Sequence, residues 1–221
     1  MESYQQLINT LALAMGTAWA SGINLYATIA VLGIMGSTGN LILPEQLQVL
    51  QSPGVIGAAC LMYFVEFFVD KTPGVDSGWD AIHTFIRIPA GAMLAAGAVG
   101  DVNPAMVIMA GILGGSVSMA SHAVKAGSRV MINTSPEPFT NWVASISEDI
   151  AALGGIFVAL HYPLLFMGLL ALFIILAIWL LPKLWRGIKK IFSIITNLFG
   201  GKPSQPPPAP PGPPTPPGSL S

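Results

Sequence analysis

Four carboxylates, Glu66, Asp70, Glu148 and Asp149, sit in or beside apolar runs, and His122 and basic residues lie in or near the same runs. An ionisable group in such a run costs about 2.5–3.5 kcal/mol at a bilayer centre, so it faces a bundle interior or a wet cavity. Groups of this kind hold or relay protons, pass small ions, or bind a charged head group. Helical spacing gathers them into stripes. Thr17, Ser21, Asn24 and Thr28 form one, and Tyr63, Glu66 and Asp70 a second. Asp80, His83 and Arg87 form a third, Ser118, His122, Lys125 and Arg129 a fourth, and Asn141, Ser145 and Glu148 a fifth. The blander account is interhelical glue, with Glu148 paired to Lys125 or Arg129.

Two segments concentrate polar groups, helix breakers and tryptophan. One is 70–87, with Asp76, Asp80, His83 and Arg87; the other is 121–142, with His122, Lys125, Arg129, Glu137 and Asn141. Both are expected on one membrane face, with His83 or Arg87 close to 122–142. Asp76, Asp80 and His83 share a helix face and are the metal ligands the sequence can offer, but no motif supplies a third His or Cys. Ser-His-Asp, phosphate-loop and zinc-protease motifs are absent from the sequence.

The elements that position these groups follow from composition. The chain has 221 residues, 53% hydrophobic and only 9% charged, against about 25% charge in soluble domains. A net charge of −1 with no basic domain excludes nucleic-acid binding as the main role. The single cysteine, Cys60, excludes an intramolecular disulfide. What remains is an all-α, multi-pass transmembrane bundle.

Apolar runs place about six spans at 7–35, 53–69, 84–100, 104–132, 136–160 and 164–181. The sixth has no polar stripe and is expected to be the lipid-facing helix. With both termini in the cytoplasm, every Lys and Arg falls on or near one face, as the positive-inside rule requires. The N-terminal run has no basic flank and reads as a retained span, not a cleaved signal. Residues 183–200 form a basic amphipathic juxtamembrane segment. Residues 201–221 carry ten prolines and read as a disordered, polyproline-II-like cytoplasmic tail able to dock a protein partner. Met15–Gly22 resembles Gly115–His122, which suggests two inverted three-helix halves with broken or short helices.

Particular residues carry a family resemblance. They are Ala20-Ser21-Gly22 with Asn24-Leu25-Tyr26, Glu66, Asp70-Lys71, Val75-Asp76-Ser77, Trp79-Asp80 and His83-Thr84-Phe85-Ile86-Arg87. The set continues with Pro89-Ala90-Gly91-Ala92, Lys125-Ala126-Gly127, Asn133, Ser135-Pro136-Glu137-Pro138-Phe139 and Asn141-Trp142. Over residues 7–160 the chain resembles an uncharacterised family of bacterial integral membrane proteins. The resemblance implies the bacterial inner membrane and assigns no activity and no catalytic residue.

The leading functional expectation is a transporter, channel or lipid-handling permease for a small substrate. Its polar pathway would use Asn24, Glu66, Asp70, Glu148, Asp149 and the charged residues of the two segments. The alternatives are an intramembrane, metal-assisted enzyme on a lipid head group, or a non-catalytic scaffold recruiting partners through its tail. Carboxylates without a hydrolytic motif favour transport over catalysis. Membrane lipids are the expected surroundings, homo-oligomerisation is compatible with the sequence, and it names no cofactor.

Overall fold

The structure, a computed structural model, describes residues 2–100, 103–134 and 138–199. It is all-helical, as expected. The helices are α1 (Glu2–Ile23), α2 (Leu25–Ser37), α3 (Pro53–Val69), α4 (Val75–Val99), α5 (Pro104–Ile132), α6 (Pro138–His161) and α7 (Pro163–Phe199). A 3₁₀ turn, Glu45–Gln51, precedes α3. Local sequence sets these boundaries. Ser52 caps α3 through Val55 N–H and Asn103 caps α5 through Ala105 N–H, each with proline at the next position, where a missing N–H is harmless. Gly74 and Gly100, at φ 83° and 71°, take the left-handed conformations that bracket α4.

Helices α4, α5, α6 and α7 are long and apolar enough to cross a membrane, and the 3₁₀ turn with α3, bent by 67°, forms a fifth candidate span. The expected third span starts earlier than its apolar run, at Val75, because the charged residues 76–87 lie within α4. The expected sixth span continues through Pro182 to Phe199, so the basic stretch is an extension of the same helix.

The expected first span is two helices, not one. Asn24 adopts an extended backbone (φ −145°, ψ 97°) and starts α2 afresh. Neighbours along α1 show its direction. A Cβ on Gly114 would meet Ala18, Ser21 faces Ser118, and Ile23 receives Lys125, so α1 runs parallel to α5. Beyond the break the chain turns back. Gly36 lies against Leu43 and Gln51, and the same 3₁₀ segment packs on Gly97 at the far end of α4. α1 and α2 thus form a hairpin that enters the bundle and leaves by the end it came from. Four candidate spans remain, or five with the bent pair, against about six expected.

Two further expectations change with it. Tyr4, Gln5, Ile8 and Asn9 line one cavity with Tyr162 to Leu165, whereas Leu184 and Gly187 pack on Gly127 and Met131 at the other end. The described chain therefore starts and finishes at opposite ends of the bundle, not on one face. The segments 15–22 and 115–122 do lie side by side, but they run in the same direction, so this pair does not relate inverted halves.

Small residues let α1, α4 and α5 approach closely. A side chain at Gly22 would strike Ser121 and the Ser118 carbonyl, and one at Gly91 would strike Ser118 and Ser21. Such small-residue contacts hold helices together where lipid removes the hydrophobic drive to associate. Around this centre α7 presents Leu164, Ile175, Ile178 and Trp179 outward. The tail beyond residue 199 lies outside the described residues.

Candidate functional site

The break at Asn24 lies in the middle of the bundle, and both of its ends have polar partners. The Asn24 carboxamide oxygen accepts the Ala27 N–H at 2.9 Å, and its Nδ2 donates to Asp149 Oδ1 at 2.9 Å. On the other side, Lys125 Nζ donates to the Ile23 carbonyl at 3.1 Å. A cation at the C-terminal end of α1 and a carboxylate beside the N-terminal end of α2 match the partial charges of helix termini. Broken helices with ends of this kind form the substrate and ion sites of many transporters.

Beneath the break lies a buried charge network. Arg87, fully buried, donates from one terminal nitrogen to Glu66 through a short contact and from the other to Asp80 at 3.0 Å. Lys125 Nζ reaches Asp70 at 2.7 Å, Glu66 at 3.3 Å, Glu148 at 3.7 Å and Asp80 at 3.9 Å. Arg129, also fully buried, grips Glu148 in a forked contact: Nε to Oε1 at 3.0 Å and a terminal nitrogen to Oε2 at 2.6 Å. Its other terminal nitrogen donates to the Asn141 side chain at 2.6 Å and the Asp70 carbonyl at 2.9 Å, with Asp76 3.8 Å away. Glu66 and Asp70 come from α3 and its C-terminal cap, Asp76, Asp80 and Arg87 from α4, Lys125 and Arg129 from α5, and Asn141 and Glu148 from α6. Four elements thus meet on three cations.

Two histidines flank the network. His122 Nδ1 accepts from Arg87 at 3.2 Å, and its Nε2 faces the Thr84 hydroxyl at 2.7 Å. Thr84 donates its own proton to the Asp80 carbonyl, which makes Nε2 the protonated nitrogen of a neutral ring. His83 donates through Nδ1 to the Trp79 carbonyl at 2.9 Å, meets Tyr26 Oη at 3.0 Å through Nε2, and stacks on Trp79.

Nearer the basic end, Asp76 Oδ1 accepts from Gly74 N–H, Ser77 N–H and Asn133 Nδ2 at 2.6–2.9 Å, tying the start of α4 to the end of α5. Lys71, in the turn after α3, lies over the Phe67 ring and donates to Ser145 at 3.2 Å. Burial pushes its ammonium below the ordinary lysine range, while Asp149 and Asp70 pull the other way.

The two polar segments therefore converge, as expected, and Glu148 has the counter-ions expected of it. Asp149 faces Asn24 instead of the cations. The metal assignment does not hold. Asp76 turns to backbone amides and Asn133, Asp80 to Arg87, and His83 to Tyr26 and Trp79. Among the described residues no three His, Cys, Asp or Glu side chains are grouped to hold an ion. Glu137 lies outside the described residues. Sequence reasoning missed Tyr26, Thr84, Lys71 and Asn133 as members of the site. Thr84 follows Asp80 by one helical turn, a spacing that could have revealed it.

A cavity of about 210 Å³ opens on this core between α1, α5, α6 and α7. Lys125 and Glu148 form its polar floor, Ser121, Ser128 and Ser147 line it, and Phe173 closes one wall.

Residues 11–183 match the family described as Domain of unknown function (DUF4126). The chain belongs to this family. The match takes in every helix that contributes to the charge network. No curated protein and no solved structure matches the chain.

Proposed function

We propose that the protein is a membrane transporter for a small substrate or ion, with the Asn24 break and the charge network as its polar pathway. The observation that carries this reading is the α1–α2 hairpin. It brings two helix ends into the bundle centre, where Lys125 and Asp149 answer them. A bundle that needed only cohesion would have no use for backbone ends at that depth. The cavity reaching Lys125 and Glu148 gives the core a way in.

The basic end of the bundle faces the cytoplasm in this reading. Lys71, Lys183, Arg186, Lys189 and Lys190 all belong to it, which satisfies the positive-inside rule. The start of α1, at the opposite end, then faces outside. In a bacterium the host bilayer is the inner membrane. Lipid surrounds the apolar faces, and the proline-rich tail extends into the cytoplasm, where it can meet a protein partner.

The test is flux. Vesicles carrying purified protein are exposed to gradients of small ions and zwitterions, with solute entry followed by light scattering. Protein-containing vesicles should respond to at least one gradient faster than empty ones, and a correctly folded Glu148→Gln variant should not. Equal responses from protein-containing and empty vesicles to every gradient would refute the reading.

A further inference from the structure

The charge network is not balanced. Six carboxylates face it among the described residues: Glu66, Asp70, Asp76, Asp80, Glu148 and Asp149. Four cations answer them, counting Lys71 at the rim: Lys71, Arg87, Lys125 and Arg129. His122 is neutral by its hydrogen bonds. A charged His83 would still leave one carboxylate uncompensated. α1, α2 and the break between them bring uncharged polar groups to the core, among them Ser21, Asn24 and Tyr26, and the charged groups of α7 lie beyond it at the basic end.

Asp149 has the Asn24 hydrogen bond and no cation within 4 Å among the described residues, and the rest of the imbalance lies around Lys125. Glu66 Oε1, Asp70 Oδ2 and Asp80 Oδ1 all lie within 4 Å of Lys125 Nζ. The second oxygen of each, Glu66 Oε2, Asp70 Oδ1 and Asp80 Oδ2, is buried and has no hydrogen-bond partner among the described residues. Three buried carboxyl groups share one ammonium, and each keeps one oxygen without a hydrogen bond, which leaves a place for a positive charge. A buried polar atom is costly unless it is paired, and a buried net charge more so. Because the three carboxyl groups are not arranged to share a metal ion, the compensating charge that fits is a proton on a carboxyl oxygen.

We propose that the carboxyl cluster gathered on Lys125 holds at least one exchangeable proton at neutral pH. Resting on the transport reading above, this proton is the ion coupled to substrate movement. The step is a simple transfer: a carboxylate oxygen takes a proton from water on one side and returns it to water on the other. Lys125 shifts between the carboxylates as their charge changes.

Infrared spectroscopy of the wild-type protein in lipid tests the site without any substrate. A protonated carboxyl group shows a carbonyl band distinct from the carboxylate bands, and the band moves on exchange into D₂O. The expected result is such a band at neutral pH, insensitive to sodium, and weakened in whichever of Glu66→Gln, Asp70→Asn or Asp80→Asn folds. No protonated-carboxyl band in folded wild-type protein, or a band erased by sodium at constant pH, would overturn the proposal. A band without any flux in vesicles would leave the proton site standing and sink the transport reading. Flux without a band would do the reverse.

Discussion

Replacing Arg87 by methionine is the sharpest perturbation of the core. The side chain is fully buried, bonds Glu66 and Asp80 at once, and donates to His122. Methionine fills much of the volume but removes the charge, leaving Glu66 Oε1 and Asp80 Oδ1 with only the more distant Lys125 ammonium, at 3.3 and 3.9 Å. Breaking a buried ion pair from one side costs about 3–5 kcal/mol, because the surviving charge is stranded. Removing both sides costs far less, so Glu66→Gln with Arg87→Met should recover a large part of that loss. Glu66→Gln alone should be milder than Arg87→Met, since the core already carries surplus negative charge. The control is Lys183→Met, an exposed lysine over the Trp179 ring, which should stay within about 0.5 kcal/mol of wild type. The assay is chemical unfolding in detergent at one pH, with the four proteins compared as a double-mutant cycle plus control. Additive effects of Glu66→Gln and Arg87→Met, or an Arg87→Met protein as stable as wild type, would refute a coupled buried network.

Asn24→Ala removes the α2 cap and leaves Asp149 without its donor; a cap alone is worth about 1 kcal/mol, and a stranded buried acceptor about 1–3 kcal/mol more, readable as lowered thermal stability in detergent. Gly91→Val should prevent α1, α4 and α5 from closing, giving protein that inserts but elutes as aggregate on size exclusion, while Gly57→Ala, with open space around it, should be silent. In a Cys60→Ser background, Gln5→Cys should react with a membrane-impermeant maleimide from outside the cell, and Lys190→Cys only after permeabilisation. Labelling of both from one side would reject the hairpin.

Much of the site was legible because membrane burial leaves polar groups so few places. Each stripe read from helical spacing, from Thr17–Thr28 to Asn141–Glu148, lies on an inward face, and α5 begins where Asn103-Pro104 announces it. The Asn24 break was not legible. The uncharged run 7–35 has the hydropathy of one long span, and Asn24 fits the polar stripe equally well as an interior residue or as a cap. The direction of α1 was hidden for a related reason. Residues 1–70 contain no Lys or Arg, so the positive-inside rule has nothing to count there, and an even or odd number of crossings leaves the basic residues on the same side. Residues 76–87 looked too charged to begin a span. The ion pair and hydrogen bond that make the helix tolerable come from α3 and α5, more than 20 residues away in either direction for Glu66–Arg87 and His122–Arg87. Such pairing is tertiary and leaves no local signal.

A charge network that is a working pathway under the Asn24 break, and not merely cohesion, must lose transport when its cavity-floor carboxylate is neutralised. Flux through vesicles carrying Glu148→Gln tests it most directly. Glu148 lies at the cavity floor, and the substitution keeps its shape while weakening its grip on Arg129 and Lys125. The expected result is a protein that folds, inserts and elutes like wild type but passes nothing. A folded Glu148→Gln protein with wild-type flux would contradict it.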